Sequence, residues 1–145
     1  PREYGTSIAG AGGVTGGPRC CASRSVPESS VTNVETFTGF HVPRETENKL
    51  LRFKELLTRE AERQNLIARA TIANVDERHI LDAAQLLRFA PNAGSWLDIG
   101  SGGGLPGIVL SILSDHPMTL VEPRRLRAEF LVRVVAELSL RHVNI

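Results

Sequence analysis

The apolar run Trp96-Leu97-Asp98-Ile99 leads straight into Gly100-Ser101-Gly102-Gly103-Gly104, and Glu122 stands eighteen residues after Gly104. A glycine-rich turn between a strand and a helix lets backbone approach a ligand closely and offers free amide hydrogens at the positive end of the helix. A carboxylate at the end of the following strand can accept two hydrogen bonds from ribose hydroxyls. This is the chemistry of a nucleotide-like cofactor site. Two templates fit the same residues: Gly102-x-Gly104-x-x-Gly107 satisfies the dinucleotide fingerprint, and Asp98-x-Gly100-x-Gly102-x-Gly104 satisfies the S-adenosylmethionine one. Charge separates them. Asp98 would sit close to the turn where a dinucleotide site must host an anionic pyrophosphate, whereas a sulfonium ligand with an ammonium group gains from a nearby carboxylate. Each acid also has a plainer reading. Asp98 can tie the turn down through backbone amides, a role compatible with the first, and Glu122 can cap the next helix or pair with Arg125.

The elements that must position these groups are legible in the pattern. Trp96 to Ile99 reads as a strand, Leu105 to Leu113 as a short helix with Pro106 near its first turn, and Met118 to Glu122 as a second buried strand ending on the carboxylate. Together they make a βαβ unit. An amphipathic helix follows, with Leu126, Phe130, Val134 and Leu138 four residues apart, and Val143-Asn144-Ile145 begins a third strand. Upstream, Leu50, Phe53, Leu57 and Ala61 recur at helical spacing from Pro43 onward. A second helix is expected from Asp76, as N-cap, through Ile80, Ala83, Ala84 and Leu87, with Gln64-Asn65-Leu66-Ile67 as a packed connection. Ala90 to Ser95 breaks the pattern. Residues 42–95 thus form a small helical cap and 96–145 the start of an α/β domain. The first 17 residues hold six glycines and no period follows them, so residues 1–41 are expected to be a disordered tail, unable to bury enough apolar surface to offset ordering entropy.

The 145 residues are 41% apolar and 23% charged with a net charge of +1, which excludes a disordered charged chain and a collagen. No run of eighteen apolar residues exists to span a membrane. Cys20 and Cys21 are adjacent, a spacing that closes no useful loop and fits no metal site. No secretory signal is visible, and a cytoplasmic monomer without a membrane partner is the expectation. Pro1 in place of an initiating methionine points to an incomplete or processed chain. Charge is segregated: residues 96–122 carry a formal −3, residues 123–145 a formal +3 from five arginines and two glutamates. An RNA ligand needs such a basic surface, so Arg124, Arg125 and Arg127 are candidate phosphate contacts. Exposed helix faces are often arginine-rich without function, no aromatic stacking platform accompanies these three, and Glu129 with Arg133 reads as an ordinary i,i+4 pair. His79 and Asp82, three apart on the second helix, are a weaker pair of candidates that local contact alone explains.

The run from Trp96 through Gly107, followed by Leu120-Val121-Glu122 and Phe130-Leu131, resembles the bacterial glucose-inhibited division protein B family, whose members are known as ribosomal small-subunit methyltransferase G. Val42 to Thr46, Gln64 to Ile67, and Arg78 to Asp82 with Gln85-Leu86-Leu87 resemble its N-terminal segments, so the likeness covers about residues 42–145. Glu60 departs from it, standing where the family often has a tryptophan. The resemblance implies a class I methyltransferase with a Rossmann-like doubly wound sheet, of which this chain holds the first βαβα part. It implies methyl transfer from S-adenosyl-L-methionine to N7 of a guanine in 16S ribosomal RNA on the small subunit. Gly100 and Leu105 are implied as cofactor contacts, with Gly102 and Gly104 completing the turn and Glu122 holding the ribose. The family pattern continues past Ile145 through strands that carry adenine contacts and part of the RNA surface. Guanine N7 carries an unprotonated in-plane lone pair, so its attack needs no general base, and we name no catalytic residue and no metal. Alignment can supply about 7 to 11 kcal/mol. The rivals are a nicotinamide-dependent oxidoreductase using Gly102, Gly104 and Gly107, and an inactive fragment whose two strands leave an open edge and too little core.

Overall fold

The computed structural model describes residues 41–68, 75–90, 92 and 94–145; the glycine-rich first forty residues, the Cys20-Cys21 pair and parts of the breaker before Trp96 lie outside them. Helix α1 spans Arg44–Ala61. Its apolar stripe buries Leu50, Phe53 and Leu57, while Glu45 and Lys49 pair on the solvent face at 3.1 Å. The second helical stretch is irregular: a π segment Asp76–Leu81, a short α2 at Asp82–Gln85, and a 3-10 turn Leu86–Arg88. Val75 is already helical at φ −57 and ψ −39, so Asp76 lies inside the helix and is not its cap. Ile80, Ala83, Ala84 and Leu87 are buried as their spacing predicts.

The α/β part runs β1 (Trp96–Ile99), α3 (Gly107–Leu113), β2 (Met118–Val121), α4 (Arg125–Glu137) and β3 (Val143–Asn144). The strands form one parallel sheet in the order β1-β2-β3, with Trp96 beside Met118, Asp98 beside Leu120 and Met118 beside Val143. Parallel strands need a crossover between them, and α3 and α4 supply it. Strand β3 gives β2 a neighbour on both sides, so among the described elements the open edges of the sheet lie on β1 and β3.

Helix α3 buries Ile108, Val109, Leu110, Ser111 and Ile112, because it lies between the sheet and the cap helices. A helix apolar all round survives only with cover on every side. A single cluster of buried side chains runs from Val42 through α3 and β2 to Val143. On α4, Phe130, Leu131, Val134 and Leu138 are buried but Leu126 is 65% exposed. Four residues overshoot a full turn by about 40°, so a stripe at strict four-residue spacing drifts round the helix. Leu126 has drifted off the buried face, and Leu131 joins Phe130 and Val134 among the buried residues.

Candidate functional site

The turn after β1 is built on its backbone. Gly100 N–H and Ser101 N–H donate to Val121 O at 2.7 and 3.2 Å, and Gly104 N–H donates to Ser101 O at 2.7 Å. These bonds fasten the loop to the end of β2, where Glu122 follows. Gly100, Gly102 and Gly104 take φ of +84°, +55° and +85°, a region that L side chains enter at a cost. The alternation of glycine through the turn is therefore a backbone requirement. Gly107 is needed for space, since a Cβ there would meet Asp98 Oδ2 at 2.6 Å.

Both acids touch the turn. Asp98 Oδ2 accepts the Gly107 amide at 3.1 Å, which ties the start of α3 to β1, the plainer of the two roles weighed for this residue. Half-burial pushes its carboxyl pKa above the ordinary value, against the pull of the Gly107 amide and the Ser101 hydroxyl. Glu122 Oε2 accepts Gly102 N–H at 2.8 Å, and Oε1 accepts Arg124 N–H at 2.9 Å. Burial works to raise its pKa. The two amides, with Arg127 and Arg124 nearby, outweigh it and hold the carboxyl below the usual value. Each carboxylate oxygen has a second lone-pair direction, so Glu122 keeps acceptor capacity for a diol while it holds the turn. Glu122 therefore holds the backbone N–H of Arg124, the residue before α4, and Arg125 is not its partner: Arg125 pairs with Glu129 at 2.7 Å.

The other candidates are dispersed. Gly102 and Leu105 are half-buried and Gly100 is exposed on the turn. Arg124 and Arg125 are exposed at the start of α4. Arg127 turns the other way, and its Nη2 donates to the Asn65 carbonyl at 2.9 Å. The expected Glu129 to Arg133 pair does not form, because Arg133 reaches across to Glu60 at 2.8 Å and lies 5.9 Å over the Phe130 ring. Glu60 is buried there and also accepts from Gln64 at 2.9 Å. Burial works to raise its pKa, and Gln64, Arg133 and Arg63 together bring it below the ordinary value. Asp82 is exposed and His79 half-buried on the second helical stretch. Sequence reasoning missed the tie between the Gln64-Asn65 connection and α4; the only signal was the polar pair in a segment otherwise read as packed.

Among the described residues no group of three or more His, Cys, Asp or Glu could hold a metal, and no helix is long and apolar enough to cross a membrane. The arrangement is a glycine turn tied to both strands, with the Asp98 carboxylate on the Gly107 amide and the Glu122 carboxylate on the Gly102 amide.

A family model described as rRNA small subunit methyltransferase G matches residues 46–145. Among curated proteins, the chain is 53% identical over 96 residues to the ribosomal RNA small subunit methyltransferase G of Sphingopyxis alaskensis, covering 65% of this chain and 41% of that protein. It is 47% identical over 109 residues to the protein of the same name from Novosphingobium aromaticivorans, covering 72% and 47%. With that of Allorhizobium ampelinum it shares 38% over 116 residues, covering 77% and 55%. The chain spans about half the length of the curated relatives it matches.

Proposed function

Because this chain belongs to the rRNA small subunit methyltransferase G family, we propose that the turn after β1 holds S-adenosyl-L-methionine and that the protein methylates N7 of a guanine in 16S ribosomal RNA. The observation that carries this reading is Glu122, placed at the carboxyl end of β2 with Oε2 on the Gly102 amide at 2.8 Å. One carboxylate thereby joins the strand end that grips a ribose to the turn that backs it. We read the three-stranded parallel sheet as the first part of a class I, Rossmann-like doubly wound sheet, with residues 42–95 as its helical cap.

When bound, S-adenosyl-L-methionine supplies a methyl carbon made electrophilic by its sulfonium. The protein's part is placement. Gly100, Gly102, Gly104 and Leu105 would form the turn that holds the donor, Glu122 would accept the ribose hydroxyls, and Asp98 would add negative charge beside that turn. Guanine N7 arrives with a free lone pair, so no side chain need remove a proton, and rate comes from alignment in a desolvated site. Arg124 and Arg125 at the exposed start of α4 are the proposed phosphate contacts. The reading includes a cytoplasmic enzyme that works as a monomer on the small ribosomal subunit.

Calorimetric titration with S-adenosylhomocysteine and with NAD tests it. Binding of S-adenosylhomocysteine and not NAD is expected, and Glu122→Ala weakens it about tenfold or more through the lost hydrogen bonds to a charged acceptor. Binding of NAD alone would replace this reading with the oxidoreductase one.

A further inference from the structure

We infer that Arg127 is a positioning residue that braces the cofactor turn against the helical cap, and that this is its use in place of an RNA phosphate contact. The inference rests on the reading of the turn as a donor site. Three observations converge on it. Arg127 Nη2 donates to Asn65 O at 2.9 Å, so the start of α4 is pinned to the connection after α1. Its Nη1 lies 3.9 Å from where a Gly102 Cβ would stand, and its charge acts on Glu122. The guanidinium thus spans the connection on one side and the Gly102 and Glu122 pair on the other. Gln64 Nε2 adds a bond to Leu126 O at 3.2 Å, one residue away on the same helix.

The turn itself is pressed against the same connection. A Cβ on Gly103 would lie 2.9 Å from Leu57 Cδ1 and 3.3 Å from Leu66 Cβ. Backbone there is in contact with both α1 and the residue after Asn65. The loop that cradles the donor therefore has a wall made by Leu57 and Leu66, and Arg127 holds that wall in place. A planar fork with five donors suits the task, since one side can serve a carbonyl while the other faces a carboxylate. Arg127 Nη2 is committed to the Asn65 carbonyl, whereas Arg124 and Arg125 stand exposed at the start of the same helix. The consequence is that the cap, distant in sequence from the turn, sets the position of the Gly102 amide.

Amide exchange on the ligand-free chain and calorimetry with S-adenosylhomocysteine test the brace together. Arg127→Ala is expected to speed exchange at residues 100–104 and 64–66 while leaving the middle of α1 unchanged, and to weaken S-adenosylhomocysteine about tenfold. Arg127→Lys recovers part of both effects. Gln64→Ala, which breaks the neighbouring tie without touching the arginine, moves both in the same direction by less and serves if the alanine variant at 127 fails to fold. Unchanged exchange at the turn overturns the inference. So does a variant that binds S-adenosylhomocysteine as before but loses salt dependence in RNA binding, the mark of a phosphate contact. If the unaltered chain ignores S-adenosylhomocysteine, the donor-site reading falls, while the exchange comparison still decides the brace.

Discussion

Asp98 holds the Gly107 amide at 3.1 Å from a half-buried position, and burial pushes its pKa up. For an acid raised on folding, the ionised form is worse off folded than unfolded. The cost is absent below the unfolded pKa, where both states are protonated, and complete above the folded pKa, so this residue makes stability fall as pH rises through that interval. Glu122, with its pKa lowered, does the reverse: its contribution is present above the unfolded pKa and lost as pH falls through the folded one. Asp98→Asn keeps an oxygen for Gly107 and removes the charge. It is expected to raise the neutral-pH melting temperature, to remove the downward limb of stability just above the ordinary aspartate range, and to weaken S-adenosylhomocysteine. Thermal unfolding from about pH 3 to 7 reads this, and a lower melting temperature at neutral pH would contradict it. The sequence singled out Asp98 because it interrupts the apolar run of β1 just before the glycines, and Glu122 because it follows the apolar run of β2. Which amides they hold was not legible, since that depends on how the turn folds back.

At the scale of elements, strands β1 and β2, helix α3 and the turn between them fall where apolar runs and glycines place them. The glycines differ in why they are needed. Gly100 at φ +84° has nothing within 4 Å of a built Cβ, whereas Gly104 at φ +85° would bring one to 2.5 Å from Ile108 Cγ1 and 3.1 Å from Leu131 Cδ2. Gly100→Ala should therefore cost only backbone strain, about 1 kcal/mol, and Gly104→Ala that strain plus a core clash, about 3 kcal/mol or more. Urea unfolding of the two variants measures the difference, and equal costs would show that the core yields around Gly104. The helical elements were less legible. The π and 3-10 segments flanking α2 and the exposure of Leu126 follow from packing against neighbours, which periodicity in one segment does not contain.

For the whole molecule, the sheet has one covered face and one open face. Met118, Leu120 and Val143 are buried, while Leu97, Ile99 and Val121 are 61%, 77% and 43% exposed, and β1 is an edge strand among the described elements. Contiguous exposed apolar residues beside an unpaired edge favour association. Replacing both residues on β1, Leu97→Thr with Ile99→Thr, is expected to leave the unfolding free energy within about 0.5 kcal/mol and to reduce binding of an apolar dye. Leu120→Ala on the covered face costs about 2 to 5 kcal/mol. Comparable destabilisation by the two threonines would mean that this face is covered after all. Cooperative melting of the chain is the matching expectation, since one cluster of buried side chains joins the cap to the sheet; a featureless melt would favour the inert-fragment reading.

Local order was enough to determine that a strand, a glycine turn, a helix and a carboxylate-tipped strand follow one another, because each is set by side-chain type at short spacing. The same stretch carried the resemblance that the family match bears out. Only the tertiary structure decided what Arg127, Arg133, Gln64 and Glu60 do. Their partners lie between 62 and 73 residues away in the chain, apart from the Gln64 bond to Glu60. A charged side chain on a helix surface has no local rule for choosing among distant partners. That choice is made when α1, its connection and α4 come together beside the turn.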